Sequence, residues 1–203
     1  MRRTFILICC LFAGMLSAFA QSFSHPGIEM NKDDLDYMRE QVQKGRDPWK
    51  KSFDLLENHI SNKFEFTPYA HVISGPFAKP DIGGWDLMNS SEAAYSCALL
   101  WYATKDERYA KKAIEILDAW SSKLRSFDEN NAKFLIAFTG YEFCNAAEIL
   151  RYTYPGWTEK NTESVTHMMM SVYFPMVRYY FTQANGNWDG AIIFSPRVQE
   201  SKT

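Results

Sequence analysis

Apolar positions recur along the chain at helical spacing, in two kinds of segment that alternate. One kind is apolar on nearly all sides. Residues 92–103 and 130–152 are of this kind, and such helices belong inside a structure. The other kind carries a single apolar stripe. In the helix predicted behind the capping box Thr104-Lys105-Asp106-Glu107 and running to about Leu124, Tyr109, Ala113, Ile114, Leu117 and Trp120 share one face, while lysines and acids occupy the other. Such a helix is half exposed and lies outside a buried partner. The unit then recurs: after residues 130–152, the turn Tyr154-Pro155-Gly156-Trp157 leads to Thr158, a predicted cap for a helix through Met168-Met169-Met170 toward Tyr180. Pro175 is expected to kink that helix, and the methionine triplet reads as core filler.

Start and stop signals complete the map. Asn31 is a predicted cap for a helix from Lys32 to about Lys44, with Asp33 and Asp34 in its first turn and Gly45 at its end. Asp47-Pro48-Trp49 reads as cap, first-turn proline and helix body, with Phe53, Leu56 and Ile60 following at helical spacing and His59 on the surface. Asn89-Ser90-Ser91-Glu92 and Thr104-Lys105-Asp106-Glu107 read as capping signals. Between 64 and 87 the pattern is broken by Pro68, Gly75, Pro76, Pro80, Gly83 and Gly84. With Phe64, Phe66, Tyr69, Phe77 and Trp85 to anchor it, this stretch is expected to be an ordered loop over a cleft, with His71, Lys79 and Trp85 facing a ligand. No strand alternation is persuasive. The expected fold class is all-α: antiparallel helical hairpins forming part of an (α/α) toroid or barrel.

The terminus changes the picture of where the chain works. Arg2 and Arg3 precede an apolar run from Phe5 to Phe12, and Ala18-Phe19-Ala20 follows. This is a secretory signal with cleavage expected before Gln21, which implies a periplasmic or secreted protein with no stable membrane anchor after cleavage. The full chain has formal net charge -2; without the two arginines, 20 basic residues face 24 acidic ones, a net charge of -4. With no basic block, nucleic acid is excluded as the expected partner. Two cysteines leave with the signal. Cys97 and Cys144, in apolar helical surroundings, are expected to be buried thiols. The histidines, His25, His59, His71 and His167, never pair at i, i+4, so no metal site is expected. Aromatic residues make up 16% of the chain, which suits glycan clefts as well as cores.

The chemistry concentrates in Gln183-Ala184-Asn185-Gly186-Asn187-Trp188-Asp189-Gly190. Two glycines allow close backbone approach, Asn185 and Asn187 offer amide donors, and Trp188 offers a flat face for a sugar ring. If Ala191-Ile192-Ile193-Phe194 opens a helix, its N–H groups point into the same loop, which suits a carboxylate. The plainer alternative is that Asn187 caps that helix and Trp188 packs in the core.

The order of these parts resembles the alginate-lyase type of polysaccharide lyase. The matching pieces are His25-Pro26-Gly27-Ile28, residues 94–104 with Trp101, residues 109–120, Ala146-Ala147-Glu148-Ile149-Leu150, and the Asn185-Gly186-Asn187-Trp188 loop. Many members carry Asn-Asn-His at that loop; Gly186 and Trp188 replace its middle and last elements here, so a base is expected elsewhere. The resemblance implies β-elimination on alginate or a related uronan, without a cofactor or metal. Asn187 and Asn185 would neutralise the uronate carboxylate as charge develops at C5. Tyr141 and His71 are the candidates for proton transfer, and Trp188, Trp85, Lys79 and Asp189 for substrate binding. Two alternatives stand beside it. One is a glycoside hydrolase on a similar barrel, for which Asp81, Asp86 and Asp189 are available; the other is a non-catalytic glycan-binding remnant. The expected organisation is a signal over 1–20, the N-terminal part of an alginate-lyase-like domain over 21–194, and an aberrant tail over 195–203, since Pro196 interrupts the last helix and a closed toroid of this type holds more helices.

Overall fold

The computed structural model describes residues 24–60, 64–128 and 131–178. The first helix, α1 (Lys32–Gln43), starts as its sequence predicts. Asn31 Oδ1 accepts from Asp34 N at 3.0 Å, and Asp34 returns the bond to Asn31 N at 3.1 Å. Gly45, at φ 66°, ends the helix in a conformation costly for other residues. The next helix, α2 (Trp49–His59), is entered differently from expectation. Pro48 takes the cap position, Asp47 stays outside the helix, and no side chain caps it. His59 is exposed, as expected.

The largest departure lies between 64 and 87. It holds two strands, β1 (His71–Ser74) and β2 (Asp81–Ile82), joined through a one-turn helix over Pro76–Ala78; a third strand, β3 (Ser126–Asp128), comes from the far side of the next helical hairpin. The order is β2-β1-β3, antiparallel to β2 and parallel to β3, with Ile73 opposite Ile82 and His71 opposite Ser126. The protein is therefore mostly α with a small sheet. Phe77 does not anchor the segment: it sits at the hairpin tip at φ 54° and 97% exposed.

The inner helix α3 (Gly84–Thr104) begins eight residues before the expected start at Glu92. Gly83, at φ 74°, packs so close to the Tyr69 ring that a Cβ would lie 2.6 Å from it, and Asp81 Oδ2 accepts from Trp85 N at 3.4 Å, so turn and carboxylate together open the helix. Ser90 and Ser91 lie inside α3, where their hydroxyls bond back to the carbonyls of Asp86 and Met88. The outer helix α4 (Glu107–Lys123) is capped by Asp106, which accepts from Arg108 N at 3.0 Å. Its stripe is buried at Tyr109, Ala113, Leu117 and Trp120.

The second inner helix, α5 (Ala132–Thr153), follows β3, and α6 (Glu159–Met168) opens on the capping box of Thr158 with Asn161. A π-helical turn over Met169–Tyr173 then leads into α7 (Phe174–Arg178). Phe174 N bonds the Met169 carbonyl five residues back. The irregular turn directly precedes Pro175, whose ring would clash with a regular α-helical carbonyl and which has no N–H to donate. Met168 and Met169 fill the core, whereas Met170 is exposed.

Helices α3 and α5 lie side by side and parallel: Gly84 sits against Leu135, Ser91 Oγ donates to Glu142 Oε2 at 2.5 Å, and Trp101 Nε1 donates to Thr153 Oγ1 at 3.1 Å. Outside them α4 packs on α3 and α6 packs on α4, where Asn161 Nδ2 donates to Asp118 at 2.9 Å. The core lies between these layers, with Trp120, Phe143, Leu87, Leu100 and Leu150 fully buried. Cys97 and Cys144 are both buried, and burial pushes the Cys97 thiol up to about 12. Among the described residues, no helix is long and apolar enough to cross a membrane.

Candidate active site

The parallel run of α3 and α5 puts both helix N-termini, and so both positive dipole ends, on one side of the molecule. The small sheet sits at that side, since β2 leads into α3 and Asn131 at the head of α5 donates to Ser74 Oγ of β1 at 3.0 Å. Three of the expected ligand-facing residues share this rim. His71 opens β1, Lys79 follows the hairpin tip, and Trp85 stands in the first turn of α3, 56% exposed. Exposed Phe77, Ile82 and Phe138 extend the apolar surface there, and Lys133 occupies the first turn of α5, which has no acidic residue. His71 Nδ1 lies 2.7 Å from Ser126 Oγ. In the tautomer that donates from Nδ1, Nε2 keeps the lone pair a base needs.

Tyr141 belongs to a second cluster. It lies ten residues beyond Asn131 on α5, about 15 Å along the helix axis. There the arm before α1 crosses α3 and α5. The Glu29 carboxylate accepts from both Tyr95 and Tyr141, and Glu29 N donates to Asn145 Oδ1 at 3.1 Å. One turn on, His25 Nδ1 is 2.6 Å from Glu148 Oε1, and its ring stacks on Tyr152 with centroids 4.2 Å apart. Burial first, and then the neighbouring Glu29 charge, push the Tyr95 and Tyr141 phenols above the ordinary tyrosine range. Both phenols thus hold their protons more tightly than an ordinary tyrosine. Glu142 is raised as well, mainly by burial, although the Ser91 hydroxyl bond opposes the shift. His71, on β1, and Tyr141, on α5, thus occupy different settings.

Among the described residues, the carboxylates considered for hydrolysis have different surroundings. Asp81 is engaged with the head of α3, and Asp86 lines a groove beside α4. Asp189, with Asn185, Asn187 and Trp188, lies outside the described residues, as does the signal segment. Sequence reasoning missed Glu29, Tyr95 and Glu142. One signal was present: Tyr141, Asn145, Glu148 and Tyr152 recur at i, i+4, i+7 and i+11 on an otherwise apolar helix, a polar stripe that needs partners. Among the described residues, no group of three or more histidines, cysteines or carboxylates is placed to hold a metal ion.

Paired helical layers with a small sheet and exposed aromatic side chains at one side define a mostly α-helical protein. The Alginate lyase family model matches residues 30–189, and the chain belongs to that family. No curated protein and no solved structure matches the chain.

Proposed function

We propose that the protein is an exported lyase that cleaves alginate or a related uronan by β-elimination, on a helical array of (α/α) toroid type. The observation that carries this reading is the family of the chain, joined to a side of the molecule where two parallel helix ends, the small sheet bearing His71, and exposed Trp85 lie. The helix ends and Lys79 draw a polyanion, and Trp85 offers a stacking face to a sugar ring. Asn187, with Asn185, donates to the uronate carboxylate, so that charge building at C5 during proton loss is stabilised. His71 Nε2 takes the C5 proton. The C4–O bond then breaks as the C4–C5 double bond forms, and the imidazolium returns a proton to the leaving oxygen. Asp189 and Trp188 add contacts along the chain. Tyr141 holds the scaffold, since its proton is committed to Glu29.

The test is direct. The purified protein is incubated with alginate and with glucuronan, and the ultraviolet absorbance of the unsaturated product is followed. Rising absorbance on either polymer is expected. New reducing ends without that absorbance would assign a hydrolase instead, and binding without any product would assign a glycan-binding role.

A further inference from the structure

Beside the rim, where Asp86 follows Trp85, the extended segment before β1 runs beside α4 and leaves an open groove of about 680 Å³ lined by Phe64, Phe66, Thr67, Asp86, Lys112 and Glu115, among others. Its walls are of two kinds. Phe64 and Phe66 stand side by side with nearly parallel rings, 11° apart in plane and with centroids separated by 6.2 Å. Across from them, Lys112 and Glu115 form an ion pair at 2.7 Å; the lysine side chain is only 15% exposed, whereas the glutamate is 56% exposed. The Lys112 ammonium stands 6.0 Å from the Phe66 ring centroid. A second hollow, of about 220 Å³, shares Phe64 and reaches Asn89 and Glu92 on α3, on the helical stripe that Trp85 begins.

We propose that this groove, adjoining the rim that the proposed function assigns to uronates, is a binding site for neutral pyranose units of a glycan. A charged donor and a charged acceptor side by side match two adjacent sugar hydroxyls, one accepting from Lys112 and one donating to Glu115. The parallel phenyl rings supply the apolar wall against which the C–H face of a pyranose packs. The charge decides between neutral and acidic sugars. Glu65, Asp86 and Glu115 line the groove with a single lysine, Lys112, already paired with Glu115, so a uronate carboxylate entering the groove meets three carboxylates against one paired ammonium. Hydroxyl-rich neutral sugars gain from the same carboxylates as acceptors. A protein with both sites would grip a mixed polymer by its neutral units while the rim takes its uronates.

The experiment titrates the protein with cellohexaose, as the neutral probe, and with hexamannuronate, as the acidic one, by calorimetry and by nuclear magnetic resonance shifts. Cellohexaose is expected to bind and to shift resonances of Phe66, Lys112 and Glu115. Phe66→Ala is expected to weaken it about tenfold, the scale of losing a central aromatic contact. Because Phe66 also packs on the core, Glu115→Gln is the companion variant. Glu115 sits on the exposed rim of α4, and its loss should weaken cellohexaose severalfold with unchanged thermal unfolding. Absence of cellohexaose binding, or equal binding by wild type and both variants, overturns the proposal. So does stronger hexamannuronate binding that these variants abolish, which would assign the groove to the uronate path. Elimination activity plays no part in the readout, so the lyase reading stands or falls separately.

Discussion

The two ends of the α3–α5 pair use the same helices for opposite purposes. From the middle of the pair to its C-terminal ends, the arm and α1 lie over it, and their polar groups find partners: Glu29 with Tyr95 and Tyr141, His25 with Glu148, and Asp36 with the Tyr102 hydroxyl at 2.8 Å. Burial and Asp36 push the Tyr102 phenol up to about 12, so it too stays a donor. Lys105, closing α3 at φ 60°, lays its ammonium 4.2 Å from the Tyr102 ring centroid, and burial lowers its pKa. At the N-terminal half Trp85 and Phe138 remain exposed, and His71 is held only from one side of its ring by Ser126. Closed polar networks rigidify, whereas exposed aromatic and basic groups are available to a ligand. One helix pair can thus serve as scaffold at one end and as recognition surface at the other.

The strongest way to break this comparison is His71→Ala. Turnover on the uronan is expected to fall by ~10²–10⁴-fold, the range for losing a general base, with unfolding unchanged. Full activity would remove the open half from the chemistry. Asn187→Ala should follow, at ~10²-fold in turnover for one lost charge-stabilising donor; an active variant that unfolds more easily would make Asn187 a helix cap. At the closed half Glu29→Ala should act on stability instead. Stranding two half-buried phenols is expected to cost about 1–3 kcal/mol in denaturant titration, with turnover little changed. A collapse in turnover at wild-type stability would move Tyr141 and Glu29 into the reaction.

The smallest effect separates the halves by pH. Glu142 has a folded pKa raised above its unfolded value, so the native state holds its proton more tightly. That contribution is fully present below the unfolded carboxylate value and is lost as pH rises through the folded one. Glu142→Gln keeps the size and an acceptor for Ser91 without the charge. Relative to wild type it should gain stability on going from acidic to neutral pH, read from denaturant midpoints at pH 4 and pH 7. A gap that stays constant or narrows on that path would show that Glu142 carries no buried charge penalty.

Some of the residues on the open side of the molecule drew notice in the chain. His71, Lys79 and Trp85 drew notice because prolines and glycines broke the helical period around them, and a long ordered loop with aromatics needs a reason. That their sheet sits at the heads of two parallel helices was not readable, because α3 and α5 are joined through an outer helix and a strand. Tyr141 was visible as a residue, yet not as the partner of Glu29. Asp81 and Asp86 looked alike in the sequence, but one caps a helix and the other faces a groove.

The sequence by itself determined what is local. Asn31, Asp106 and Thr158 open their helices through bonds to residues two or three positions ahead, and the single stripe of α4 against the all-round apolarity of α3 and α5 assigned outer and inner layers. Only the tertiary structure decided the rest. The strands have four, two and three residues, too few for an alternating pattern to stand out, and β1 pairs with β3 across 55 residues at His71 and Ser126. The arm joins α3 and α5 through pairs separated by 66, 116 and 123 residues. Periodicity reports how one segment meets its surroundings. It carries no information about which distant carboxylate will face which phenol, because that depends on how the packed layers bring their polar stripes together.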